Sequence, residues 1–220
     1  MTTLSYVKSK SAKRLEGLHP SVRLATERLI EQSYAAGVPI VITQGLRTIA
    51  EQDALFAKGR DANGKIIKPK DVVTNARGGR SYHNYGLAVD YALLMPDGAT
   101  VTWDTARDGD KDGQRDWFEV AAIGKALGFE WGGDWDHFVD MPHFQMTFGL
   151  TLDDCQRGKQ PHEVKEEENQ LDKVKTTING KAAADALVYE GSTYIKVSEL
   201  AKLGVPFYWD NSNKTVVLGK

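Results

Sequence analysis

The sequence predicts an α+β fold carrying a small β-rich module at its C-terminus. Three observations support this. Segments of helical period and segments of strand period are both present before residue 152. The composition breaks after Leu152 into a charged, aperiodic stretch. The last 47 residues are strand-like runs separated by turn residues.

The elements follow in order. Residues 21–36 read as a helix: Ser21 can cap it, Val22, Ala25, Leu29 and Ser33 share a face, and Gly37 stops it. Val38 to Thr43 is a short buried strand. Thr48-Ile49-Ala50-Glu51 is a capping box that opens a second helix ending near Gly59. Residues 60–80 lack periodicity and form a long loop, a length usually associated with function or mobility. Gly86, Ala88 and Asp90 alternate with Leu87 and Val89 as in a half-buried strand. Residues 95–107 look irregular, and 117–127 look helical up to Gly128. From His137 to Phe148 the pattern returns to strand, with His143 and Gln145 on one face and Phe144, Met146 and Phe148 on the other.

Composition excludes several classes. The chain has 220 residues, is 41% apolar and has a net charge of −2, so no polybasic surface argues for nucleic acid or anionic lipid. Its mean hydropathy is −0.42 and no apolar run approaches a membrane span. Met1 to Lys8 has no apolar signal-peptide core, so synthesis in the cytoplasm without a signal peptide is expected. The single Cys155 rules out an internal disulfide and a thiolate-rich metal site, and reads as an incidental thiol.

Two segments carry the chemistry: Ser81-Tyr82-His83-Asn84-Tyr85-Gly86-Leu87-Ala88-Val89-Asp90 and Asp140-Met141-Pro142-His143. Together they hold two imidazoles, one carboxylate spaced to join them, and a spare carboxylate three residues before the second histidine. His83, Asp90 and His143 suit Zn²⁺ and leave net positive charge to acidify a bound water. Asp140 is the candidate general base for that water. A lone histidine is usually structural, and Asp90 could simply end its strand. The combination is much more specific than any one member.

These residues resemble the zinc peptidases that group D-Ala-D-Ala carboxypeptidases and dipeptidases with the L-alanyl-D-glutamate endopeptidases of phage endolysins (the LAS type). The resemblance spans roughly residues 10–150 and includes Gln44-Gly45-Leu46-Arg47-Thr48 and Trp131-Gly132-Gly133-Asp134-Trp135. It implies a small antiparallel sheet flanked by helices. It also implies zinc on His83, Asp90 and His143, Asp140 as catalytic base, and Arg47 polarising the scissile carbonyl. Gln44, Ser81 and Tyr82 are implied to contact substrate. The carboxypeptidase and dipeptidase branches usually carry Glu where this chain has Asp140. The shorter acid favours the endopeptidase branch and the L-Ala–D-Glu bond of the peptidoglycan stem peptide. Such an enzyme would act at the bacterial cell wall in host cell lysis.

A second pattern, Asp108-Gly109-Asp110-Lys111-Asp112-Gly113-Gln114-Arg115-Asp116-Trp117-Phe118-Glu119, fits a twelve-residue calcium loop over its whole length. Asp108, Asp110 and Asp112 would give single oxygens, Gln114 its carbonyl, Asp116 a water-mediated contact, and Glu119 a bidentate closure. The competing reading is a solvated acidic turn with Asp116 as a helix cap. One structural or regulatory Ca²⁺ is expected, not a sensor pair.

The domain organisation expected is a catalytic domain over 1–152, a charged linker over 153–173, and a module over 174–220. The last resembles the stalk-type domain named from the N-terminus of copper amine oxidases, through Ile178-Asn179-Gly180-Lys181, Tyr194-Ile195-Lys196-Val197 and Tyr208-Trp209-Asp210 to Leu218. That resemblance implies docking to the cell wall, which raises local concentration at an insoluble substrate. The expected protein is a monomer with no membrane anchor. Two alternatives remain open: a D-Ala-D-Ala carboxypeptidase, and a non-catalytic zinc- and calcium-binding module.

Overall fold

The computed structural model describes residues 2–161 in full and the backbone of the strands at 172–178, 181–189, 192–194, 207–210 and 215–218. It divides into two compact units, 1–162 and 163–220.

The first unit is a mixed α and β structure built around one antiparallel sheet. Helix α1 (Leu4–Ser11) opens it, a helix that the sequence reading left unassigned. Helix α2 (Pro20–Ala35) follows. Strand β1 (Ile40–Gln44) leads to α3 (Ile49–Ala57), and the long loop then runs to β2 (Ala88–Leu94). After β3 (Val101–Thr102) and α4 (Asp116–Ala126) come β4 (Glu130–Trp131), β5 (His143–Gln145) and α5 (Leu152–Gln156). The strand order is β1-β2-β5-β4, with β3 also on β2, and every pairing is antiparallel.

Local chemistry explains most boundaries. Pro20 takes the first turn of α2, where its missing N–H costs nothing, so Ser21 is not the cap; His19 occupies that position. The Thr48–Glu51 capping box forms as expected, each partner satisfying the other's backbone N–H. Strand β2 is longer than expected and is buried at six of seven positions, with Asp90 the exception. It lies in mid-sheet with neighbours on both edges, so the half-buried alternation read from residues 86–90 gives way to a nearly continuous buried strand. The strand expected over 137–148 is limited to three residues, because Asp140 to Pro142 form a turn instead. The irregular 95–107 stretch contains the short β3 ribbon.

The core lies between the sheet and α2 and α4, around Leu29, Ile40, Val89, Tyr91, Trp117 and Phe144. Phe144 is fully buried, stacked on Tyr91 at 5.2 Å and tilted against Phe129 at 5.4 Å. Its neighbour His143 points to the opposite face, as strand geometry requires. A fully buried ring of the core therefore sits one residue from a candidate metal ligand.

The first unit runs past the boundary expected at Leu152. Thr151 and Asp154 form a capping box, Cys155 is buried, and Asp153 and Gln156 bond Arg80. The charged composition that suggested a linker from 153 belongs here to the solvent side of a docked helix turn. In the second unit, strands Asp172–Ile178, Lys181–Tyr189 and Ser192–Tyr194 pair antiparallel in series, and Phe207–Asp210 pairs with Thr215–Leu218. Ile178 pairs with Lys181, as a tight hairpin requires, while Asn179 and Gly180 lie outside the described residues. No helix among the described residues is long and apolar enough to cross a membrane.

Candidate metal centre

His83, Asp90 and His143 arrive from three different elements. His83 sits in a 3-10 turn, Tyr82–Tyr85, that ends at Gly86 in the left-handed region (φ +68°). A Cβ at Gly86 would stand 2.5 Å from the Gly17 carbonyl oxygen, so only glycine permits this turn to lead directly into β2. Asp90 lies on β2 directly opposite His143 on β5.

The three facing atoms form a small triangle. His83 Nε2 is 3.2 Å from Asp90 Oδ1 and 3.2 Å from His143 Nδ1, and His143 Nδ1 is 3.1 Å from Asp90 Oδ1. Four donors at 2.0–2.1 Å around zinc stand about 3.3 Å apart, so this triangle is close to one face of such a tetrahedron. The outer partners determine what each atom offers. His83 Nδ1 lies 2.9 Å from the Gly45 carbonyl, which can only accept, so that nitrogen carries the proton and Nε2 presents a lone pair. Gln145 Nε2 donates to Glu130 at 2.8 Å, which turns its Oε1 toward His143 Nε2 at 3.1 Å. His143 Nε2 is therefore the donor, and Nδ1 faces the centre bare. Three acceptor atoms converge, and only a shared proton or a cation relieves their repulsion. Burial acts to lower His143, but the Asp90 carboxylate outweighs it and holds the imidazole above its ordinary value. Burial pushes the Asp90 carboxyl up, yet the two imidazoles hold it well below the usual carboxylate range.

Asp140 and Arg47 complete the site. The Asp140 backbone N–H donates to Gly132 O at 2.9 Å, and a Cβ at Gly132 would press to 2.6 Å on the Asp140 carbonyl. Its side chain lines the cavity and makes no hydrogen bond to the described residues. Burial first, and then the negative charge of Asp90, push the Asp140 carboxyl up, against the pull of His143, His83 and Arg47. Arg47 donates from Nη1 to Gln52 Oε1 at 2.8 Å and reaches Asp90 Oδ2 at 3.5 Å through Nη2. Its Nε is buried without a partner. Gln52, fully buried, also donates to Ala76 O at 2.8 Å, tying Arg47 to the loop that walls the cleft. The sequence reading missed Gln52; a polar residue five positions after Arg47 inside a short helix was the available signal.

A cavity of about 690 Å³ opens over these groups, with Trp103, Trp135 and Phe138 on its wall. Ser81 and Tyr82 line it, and the Tyr82 hydroxyl donates to Leu150 O. Gln44 is not among its lining residues, and its amide donates to Leu46 O at 3.1 Å.

A family model described as D-alanyl-D-alanine carboxypeptidase matches residues 74–146. The peptidoglycan L-alanyl-D-glutamate endopeptidase CwlK of Bacillus subtilis (strain 168) is 49% identical over 129 residues, 59% of this chain and 73% of that protein. The chain belongs to this peptidase family. The L-alanyl-D-glutamate peptidase of Listeria phage A118 is 33% identical over 144 residues, 66% of this chain and 43% of the phage protein. Among solved structures, the L-Ala D-Glu endopeptidase ChiX of Serratia marcescens is 26% identical with a TM-score of 0.45, covering 64% of this chain and 89% of that one. The family model spans the candidate ligands His83, Asp90 and His143 together with Asp140.

The acidic loop of this peptidase is folded but only partly arranged as expected. Asp108 accepts from Gly113 N–H at 3.1 Å, and Gly113 takes the left-handed turn (φ +91°). Asp110, Asp112 and Glu119 bring one oxygen each within 4.8 Å of one another. Gln114 N–H and its side-chain amide both donate to Asp112. Asp116 departs from the expected water-mediated role: it is buried, pairs with Arg107 Nε at 3.0 Å, and accepts from Gly109 N–H at 2.7 Å. Burial, then Asp112 and Asp110, push the Glu119 carboxyl up to about 6.

Proposed function

We propose that this chain is a zinc-dependent peptidoglycan endopeptidase that hydrolyses the L-Ala–D-Glu bond of the stem peptide. The observation that carries this reading is the triangle of bare lone pairs on His83, Asp90 and His143, with the unpaired Asp140 carboxylate in the same cleft. Family membership, and the activity of the Bacillus and phage relatives, support the choice of bond.

His83, Asp90 and His143 would hold the metal. Zinc, when bound, supplies Lewis acidity that makes water a nucleophile near neutral pH and stabilises charge on the carbonyl oxygen. Asp140 takes the proton from the attacking water and returns it to the departing amine, and its raised affinity for protons suits both steps. Arg47 lines the cleft and is held rigid by Gln52, a fixed cation for a developing oxyanion. A carboxylate free of other hydrogen bonds also argues against a purely structural metal module, which needs no base.

Mass spectrometry of purified walls after digestion tests the reading. New N-terminal glutamate and C-terminal alanine ends are expected. Release of terminal D-Ala alone would establish the carboxypeptidase alternative instead.

Two further assignments belong to the same reading. The loop 108–119 takes one calcium ion centred on Asp110, Asp112 and Glu119, where Glu119 Oε2 is buried without a partner among the described residues. The C-terminal module holds the enzyme on the wall; a chain ending at 161 is expected to sediment less with purified walls than the full chain.

A further inference from the structure

We infer that Arg80 is a specificity residue, binding the free carboxylate that the substrate's glutamate carries beside the bond to be cut. The inference rests on the reading above and adds the chemistry of the group recognised.

The need follows from the substrate. A glutamate whose nitrogen lies in the scissile amide bears two more carboxyl groups, and the chain continues through one of them. A carboxylate therefore remains within a few bonds of the reaction centre. Burying it in a cleft without a cationic partner is expensive. Among the cavity-lining residues the only lysines or arginines are Arg47 and Arg80. Arg47 is already committed to Gln52 and Asp90 on the floor of the site. Arg80 is paired at the wall through Nη1 alone.

The structure also fixes where Arg80 stands. It lies three residues before His83, and its backbone is clamped to the turn that carries that histidine. Arg80 N–H donates to Arg77 O at 2.9 Å, Gly79 N–H donates to Asn84 Oδ1 at 3.0 Å, and the Tyr85 hydroxyl donates to Gly79 O at 2.8 Å. The guanidinium is held at the wall by α5, with Nη1 bonded to Asp153 and, at 3.2 Å, to Gln156 Oε1. Both contacts use Nη1, and the side chain is 48% exposed. The Nε and Nη2 edge remains for a planar, bidentate carboxylate. The α5 turn that extends the catalytic unit beyond residue 152 thus orients this arginine.

The experiment compares two matched synthetic stem peptides, one with the glutamate carboxyl free and one with it as the primary amide. The parent zinc enzyme is expected to prefer the acid at least tenfold in kcat/KM, mainly through KM. Arg80→Gln keeps hydrogen bonding to α5 without the charge, and is expected to bring the ratio near one; Arg80→Lys should retain part of the preference. Bound zinc and melting temperature are measured on each variant. A parent without preference, or an Arg80→Gln enzyme that keeps it or loses both substrates equally, would overturn the inference. The endopeptidase reading is judged separately, by whether the parent cuts the Ala–Glu bond of either peptide.

Discussion

Asp90 and His143 stand directly opposite each other across β2 and β5, with Asp90 Oδ1 3.1 Å from His143 Nδ1. Strand pairing therefore brings together two ligands that are 53 residues apart in the chain, and the 3-10 turn ahead of β2 adds His83. The candidate metal site is thus anchored on the central hydrogen-bonded ladder of the sheet.

The outer hydrogen bonds of this ladder should tune the metal. Gln145→Leu removes the acceptor that fixes the His143 tautomer and leaves Glu130 Oε2 without its donor, while Thr147 still donates to Oε1. Competition with a chelator is expected to show zinc affinity reduced about 10- to 100-fold, with Glu130→Ala weaker in effect. Unchanged affinity in Gln145→Leu would mean that the tautomer is set elsewhere.

Asp140→Asn should separate catalysis from folding. Turnover is expected to fall by about 10²- to 10⁴-fold while zinc still binds. In the metal-free protein the effect on stability has the opposite sign. The folded state raises the Asp140 carboxyl, so its ionised form opposes folding. That cost is absent below the ordinary carboxylate value and fully present above the raised one. The asparagine variant should therefore melt higher than the parent near neutral pH and no higher in acid, by thermal unfolding in EDTA.

Phe144→Ala tests the link between core and site. Removing a fully buried ring packed between Tyr91 and Phe129 costs about 3–5 kcal/mol. Because His143 is its chain neighbour, zinc affinity should fall too. Denaturant unfolding and chelator titration on the same sample would check both, and a loss of stability with full affinity would show that β5 holds its register without the ring.

Calcium should flatten one limb of the stability profile. Glu119 is raised from an ordinary 4.5 to about 6 by burial and by Asp112 and Asp110, so without a cation stability declines as pH rises through that window. Millimolar calcium, with zinc held constant, is expected to raise the melting temperature above pH 6 and to do little near pH 4.5. An equal response at both values would count against the loop as the binding site.

The sequence by itself carried the short-range information: the Thr48 capping box, the glycine turn between His83 and Asp90, and the residue types needed for zinc and for a base. Each of these depends on neighbours within a few positions, where propensity and spacing act directly. Long-range packing decided the rest. Asp116 is taken by Arg107, Cys155 is buried, and Asp153 and Gln156 dock on Arg80. None of these has a local signal, because each outcome depends on a partner brought near only by the fold. The same holds for the site itself. Sequence supplied the ligands, and sheet register made them a triangle of about 3 Å on a side.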